Sequence, residues 1–335
     1  MYPETNTLPI RPLVDNAGRT IDYLRLSITD RCNLRCLYCM PTEGVSWMPH
    51  DEVLRFEETL HICRIMATLG IKTVKVTGGE PLVRRGAVDF IRELKTVDGI
   101  DSVTMTSNGV LLGEHLPALT AAGLDAVNIS LDTLDGEKFR HITRADGFDS
   151  ILPAVNQAVE LGLKVKINCV PIRGFNEDDV IKLAALAKSG RITVRFIELM
   201  PLGEASALKP IPADELVSMI EGEYGPMRPS TVKLGFGPAV YYTLPGFTGY
   251  IGLISAVTHR FCNGCNRLRL TAAGFLKPCL TSDIGLDLRG LVRNGVSDGE
   301  IVGAIRELVK KKPAGHSFGV VDNEVNKINM FRIGG

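Results

Sequence analysis

Six short β-like runs in this chain alternate polar with apolar residues, and amphipathic helical patterns lie between them. The runs fall near residues 24–29, 73–77, 103–106, 126–131, 165–170 and 193–199, and helices are expected at 56–69, 88–96, 116–122, 151–161 and 178–188. Gly70, Gly123, Gly162 and Gly190 follow four of these helices, where a left-handed glycine stops a helix. Repeated strand–helix units imply a parallel sheet. Parallel strands are ordinarily apolar on both faces. Here Arg25, Ser27 and Thr29 interleave with Leu24, Leu26 and Ile28, and Lys75 and Thr77 with Val74 and Val76. Asn128, Ser130 and Asp132 likewise interleave with Val127, Ile129 and Leu131, and Lys164, Lys166 and Asn168 with Val165 and Ile167. Side chains on a strand point alternately to its two faces. Helices cover the apolar face, so the polar rows line a shared interior, an open or closed barrel with a wet lumen. A sheet with one solvated face is the plainer alternative.

Unusual residues crowd the segments after the strands: Gly78-Gly79-Glu80-Pro81, Ser107-Asn108-Gly109, Asp132-Thr133 and Met200-Pro201. Chemistry in βα barrels gathers at these C-terminal strand ends. After about Pro201 the rhythm stops, Gly and Pro become dense, and a last helix is expected near 297–311. The expected fold is α/β, with a partial (β/α)6 barrel over residues 1–212 and a smaller α+β domain over 213–335.

Six of the eight cysteines form two groups. Cys32, Cys36 and Cys39 stand as C-x-x-x-C-x-x-C on the loop after the first run. Cys262 and Cys265 form C-x-x-C, with thirteen residues between Cys265 and Cys279. A closed structural metal site takes four ligands, so three thiolates leave one position for a small molecule. Zinc with His50 or His61 completing the first group competes with an iron–sulfur cluster carrying one open iron. His259 offers the same completion for the second group. A chain of 335 residues needs no metal to make up for a weak core, which favours a functional metal. Cys63 and Cys169 read as ordinary buried cysteines.

Lys+Arg and Asp+Glu balance at 38 each, which argues against a general nucleic-acid or membrane-surface binder. The chain shows no signal peptide and no uninterrupted apolar stretch of ~18 residues. Clustered thiols without a signal point to a reducing, cytoplasmic setting. Arg267 and Arg269 share one face of a strand beside the cysteines, with Leu268 and Leu270 turned away. Together with Arg25, Lys75, Lys166 and Arg195 they give a neutral chain a concentrated positive cavity. Such a cavity suits a polyanion such as a triphosphate.

The loop DRCNLRCLYCM (30–40) resembles the signature of the radical S-adenosylmethionine (SAM) enzymes, and Gly78–Pro81 resembles their GGEP loop. The segment FCNGCNRLRLTAAGFLKPCL (261–280), the stretch RFIELMP (195–201) and the terminal Gly334-Gly335 resemble the GTP 3′,8-cyclases of molybdenum cofactor biosynthesis. The resemblance implies a partial barrel of the radical SAM type and two 4Fe–4S clusters. The first, on Cys32, Cys36 and Cys39, would hold SAM. The second, on Cys262, Cys265 and Cys279, would bind the guanine of GTP. SAM would be cleaved to a 5′-deoxyadenosyl radical that takes a hydrogen atom from C3′. Attack of C3′ on C8 would then yield (8S)-3′,8-cyclo-7,8-dihydroguanosine 5′-triphosphate. Tyr38, Gly79, Ser130 and Met200 would contact SAM, and Glu80 its amino group. Arg25, Lys75, Thr106, Lys166, Arg195, Arg267 and Arg269 would contact GTP, and Gly334 and Gly335 would reach into the barrel. An electron donor and the next enzyme, the cyclic pyranopterin monophosphate synthase, are the implied partners, with a homodimer as one assembly. Asn108, Asp132 and Glu198 receive no role. The competing reading is a two-cluster radical SAM enzyme acting on a peptide or another small molecule, which need not carry the paired Arg267 and Arg269.

Overall fold

The computed structural model describes residues 12–316, 318 and 330–334. A small hairpin, β1 (Leu13–Val14) and β2 (Thr20–Ile21), leads into β3 (Tyr23–Ser27). β4 (Thr73–Thr77), β5 (Ser102–Ser107), β6 (Ala126–Ser130), β7 (Lys164–Cys169) and β8 (Ile192–Ile197) follow as parallel neighbours in chain order. Helices α1 (Phe56–Thr68), α2 (Ala87–Leu94), α3 (Leu112–Ala121), α4 (Gly136–Thr143), α5 (Phe148–Glu160) and α6 (Asp179–Ala185) occupy the crossovers. All six expected strands and five expected helices are present, with ends shifted by a few residues. The four glycines that follow helices sit at φ between +77° and +88°.

α4 was not expected from the apolar pattern, because only Phe139, Ile142 and Thr143 of its eight residues are buried. Its signal is local. The Asp135 side chain accepts hydrogen bonds from the amides of Glu137 and Lys138 and caps the first turn.

The outward rows of the strands make the core. Leu24, Leu26, Val74, Val76, Val103, Met105, Val127, Ile129 and Ile167 are fully buried against the helices. Each such side chain contributes about 1.5–3 kcal/mol of burial. That drives the inward rows, polar or not, into the lumen.

After β8 the chain forms α7 (Ala213–Tyr224), β9 (Arg228–Ser230), β10 (Val240–Thr243), β11 (Ile251–Ile254), β12 (Arg267–Leu270), β13 (Phe275–Lys277), β14 (Leu286–Asp287), α8 (Leu288–Arg293) and α9 (Asp298–Lys310). β11 pairs in parallel with β8, and β12 in parallel with β3. The C-terminal third therefore extends both edges of the barrel sheet, giving twelve strands among the described residues. Glu58 on α1 secures this arrangement. Its buried carboxylate accepts from Nε of Arg293 at 2.9 Å and Nη2 at 3.1 Å, tying α1 to α8.

Candidate functional site

The lumen holds a cavity of about 1040 Å³. The inward residues of the strands line it, and all six clustered cysteines open into it. Every residue expected to touch SAM or GTP except Glu80 is on its wall, including Tyr38, Gly79, Ser130 and Met200 on one side of the assignment and Thr106, Lys166 and Arg195 on the other.

The first cysteine loop is a turn braced from two sides. Cys39 and Met40 both donate their amides to the carbonyl of Cys36, at 2.9 and 3.0 Å. The amides of Arg35 and Leu37 bond to Thr143 and Ile142 at the end of α4. The other brace is the loop after β4. Gly79 donates to the Thr29 carbonyl and Glu80 to that of Arg31, each at 2.8 Å. A Cβ on Gly79 would lie 2.4 Å from the Arg31 carbonyl oxygen, so only glycine permits this approach. Tyr38 is fixed by a 2.7 Å bond from its hydroxyl to Asp132, whose other oxygen accepts from the Val170 amide at 2.7 Å. Burial raises the Asp132 carboxyl to about 6, against the lowering effect of these bonds.

Glu80 departs from the expected role. Its carboxylate is buried and accepts from the Asn108 amide at 2.7 Å, the Ser107 hydroxyl at 3.0 Å and the Leu82 amide at 3.2 Å. It does not line the cavity, because these donors consume it in holding the loops after β4 and β5 together. Burial pushes it up to about 7. Asn108 reaches the Sγ of Cys32 at 3.8 Å, and Glu198 accepts from the amides of Val257 and Thr258.

The second cysteine group is framed by cations. β12 carries Arg267 and Arg269 into the cavity while Leu268 and Leu270 are fully buried on the other face. Arg19 donates to the Cys262 carbonyl at 2.7 Å. Lys312 donates to the carbonyls of Arg267 and Pro278 at 2.8 and 2.6 Å, binding the stretch after Cys265 to the residue before Cys279. Burial alone would raise the Cys265 thiol, but Arg267 and Lys312 outweigh it and hold the thiol at about 7. In the first group burial dominates, taking Cys32 to about 11 and Cys39 to about 12.

Both groups fit an iron–sulfur cluster. Each offers three free thiols in a cavity wall, the donor type such clusters require. Among the described residues no three His, Cys, Asp or Glu side chains gather as ligands of one metal ion. Each histidine considered for zinc has a contact of its own. His61 lies 3.0 Å from Asp298, His50 meets Arg31, and His259 meets Thr258.

Between the two groups runs a cationic floor. Arg269, Arg25 and Lys75 are direct register neighbours across β12, β3 and β4. Lys166 and Arg195 continue it on β7 and β8, where Arg195 is oriented by two bonds to Asn168, at 2.6 and 2.9 Å. Burial, then repulsion by neighbouring cations, lowers Arg25 to about 10 and Lys166 to about 8, and lowers Lys75 strongly. A bound polyanion would relieve that repulsion.

Near the C-terminus, Phe331 and Ile333 are buried and Gly334 enters the barrel wall. The Gly334 carbonyl accepts from Arg25 and from the Thr77 hydroxyl, both at 3.1 Å. Gly335 lies outside the described residues. Lys312 and Arg19 were not foreseen as site residues. Lys312 ends a run of three lysines that reads as solvated, yet its two predecessors are exposed and it alone is buried.

Comparison with known proteins agrees with this geometry. Residues 26–187 match the Radical SAM superfamily and residues 192–318 match Molybdenum Cofactor Synthesis C. A GTP 3′,8-cyclase of Clostridium perfringens (strain SM101 / Type A) is 42% identical over 322 residues, 96% of this chain and 99% of that protein. One from Thermodesulfovibrio yellowstonii is 46% identical over 307 residues, 90% of this chain and 95% of that one. Streptococcus suis SuiB bound to S-adenosylmethionine has a similar fold, with a TM-score of 0.58 at 16% identity, covering 90% of this chain and 74% of that one.

Proposed function

The chain belongs to the GTP 3′,8-cyclases, radical SAM enzymes of molybdenum cofactor biosynthesis, and from that premise we propose how its residues divide the work. Cys32, Cys36 and Cys39 hold one 4Fe–4S cluster, and Cys262, Cys265 and Cys279 a second. When bound, the clusters supply the electron that cleaves SAM and an open iron for the guanine ring. Tyr38, held by Asp132, sets an aromatic face beside the first loop. Gly79 lets the backbone approach SAM, and Ser130 and Met200 flank it. Arg25, Lys75, Lys166, Arg195, Arg267 and Arg269 hold the triphosphate, with Thr106 beside them. Set in the low-dielectric wall of the cavity, each of these charges acts more strongly than at the surface. Gly334 closes the site from the C-terminal side, its carbonyl held by Arg25 and Thr77.

The observation that carries the reading is that both three-cysteine groups open into one cavity whose floor is a row of buried cations. The competing peptide-modifying reading gives that floor no purpose. An electron donor and the cyclic pyranopterin monophosphate synthase that consumes the product complete the proposed partners, and light scattering tests the homodimer. No helix among the described residues is long and apolar enough to cross a membrane.

The test is anaerobic purification followed by incubation with reductant, SAM and GTP. About eight irons per chain and 5′-deoxyadenosine formed in step with a cyclised nucleotide are expected. Alanine at any cysteine of the first group should remove about half the iron and all SAM cleavage. Alanine in the second group should remove the other half and stop GTP turnover. Stoichiometric zinc without iron would overturn both cluster assignments.

A further inference from the structure

We infer that Thr104 is a further substrate-contacting residue, whose hydroxyl donates a hydrogen bond to a phosphate oxygen of the nucleotide beside Lys75. The inference rests on the triphosphate reading above and adds to it a residue that no motif marks.

Three observations carry it. The first is register. Arg269 on β12, Arg25 on β3, Lys75 on β4 and Thr104 on β5 are successive cross-strand partners, so one row of the sheet runs from three cations to this hydroxyl. Side chains directly opposite on neighbouring strands lie within reach of one ligand. The second is exposure to the cavity: Thr104 is on its wall, one pleat from Thr106.

The third is the state of the hydroxyl. Thr104 is 9% exposed, and among the described residues its Oγ1 is buried without a hydrogen-bond partner. Buried polar atoms are nearly always partnered, and leaving one unmade is costly. Valine fills the same volume on a strand without that cost, so packing alone gives no reason for threonine here. The Nη1 of Arg269, on the same row, is likewise buried without a partner. The row therefore presents two donors without a partner among the described residues, which a ligand rich in acceptor oxygens would satisfy. A phosphate oxygen has lone pairs enough to accept from the Lys75 ammonium and the Thr104 hydroxyl together.

The experiment compares Thr104→Val, Thr104→Ser and Arg269→Ala in the anaerobic, cluster-loaded protein. Calorimetry measures binding of GTP, guanosine and SAM, and thermal melts check the fold. Thr104→Val should weaken GTP about tenfold to hundredfold, the range for a lost bond to a charged group. Guanosine and SAM affinity should hold, and the melting temperature should stay level or rise. Thr104→Ser should recover most of the loss. Unchanged GTP affinity in Thr104→Val beside a loss in Arg269→Ala overturns the Thr104 inference and leaves the phosphate floor standing. Unchanged affinity in both overturns the floor and the inference together. Guanosine weakened as much as GTP would place the hydroxyl's partner off the phosphates and also overturn it.

Discussion

Replacing Gly334 by alanine should unseat the C-terminal tail while leaving the rest of the protein intact. Two costs follow from the structure. Gly334 has φ +81°, where an L side chain costs about 1–2 kcal/mol. A Cβ there would also stand 2.9 Å from the Thr77 Oγ1 and 3.0 Å from the Ser27 Cβ. Both neighbours sit on paired strands of the barrel and have little room to shift, so overpacking adds about 1–3 kcal/mol. Together the seated tail becomes about thirtyfold to several-thousandfold rarer. Phe331 and Ile333, the buried anchors before it, are untouched. Product formation should therefore fall, by up to that factor, with iron content and melting temperature unchanged. Thr77→Val provides a graded control. It deletes one of the two hydrogen bonds to the Gly334 carbonyl, about 0.5–1.5 kcal/mol, and should cost about twofold to tenfold. Full turnover in Gly334→Ala, or a larger defect in Thr77→Val than in Gly334→Ala, would refute the reasoning.

Three further outcomes are expected. Burial would raise the Glu58 carboxyl, but bonds from Arg293 and Arg55 outweigh it and hold it at about 2. Its stabilisation is complete above the ordinary carboxylate range and is lost as pH falls toward 2, so Glu58→Gln should flatten the acid limb of a melting-temperature profile. An unchanged limb would remove Glu58 as the clasp between α1 and α8. Lys166, lowered to about 8, loses its charge as pH rises through that value, whereas a bound triphosphate holds the proton on. GTP affinity should fall between about pH 7 and pH 9, with proton uptake visible in calorimetry across two buffers, and Lys166→Met should abolish the uptake. Lys312→Met leaves the carbonyls of Arg267 and Pro278 without their donor, about 1–3 kcal/mol each. It should lower iron at the second site while SAM cleavage at the first persists, as iron analysis and a 5′-deoxyadenosine assay would show.

The barrel and its contents were legible in the sequence because both are set by local pattern. A period of two along β3, β4, β6 and β7 separates the core row from the lumen row; the core row is buried in all four, while the lumen row is buried as well in β4 and exposed or half-buried throughout only in β7. Cysteine spacing marked both thiol groups for the same reason: the first group sits on one loop, and the second joins the two ends of the β12–β13 hairpin, so each set is close in sequence. What stayed hidden depends on contacts between distant segments. Glu80 looked like a ligand-facing residue because its loop does face the cavity, through Gly78 and Gly79. Only the fold reveals that Ser107, Asn108 and Leu82 turn the carboxylate inward. Lys312 and Arg19 hold carbonyls 34 to 295 residues away, and no window of sequence contains both ends of such a bond.

The same distance explains how the two thiol groups come to differ. The first is framed by its neighbours on βα loops, where burial raises the thiols, Glu80 and Asp132 raise Cys32 and Cys36 further, and hydrogen bonds from Leu34, Asn108 and Tyr38 offset only part of it. The second lies where β12 joins the barrel edge, and cations from both ends of the chain, Arg19 and Lys312, close around it. A cationic frame favours an anionic group at the thiols. The extension of the sheet at β3 by a late strand is thus what sets Arg269 of β12 beside Arg25 of β3 and begins the cationic row to which the proposed function assigns the triphosphate.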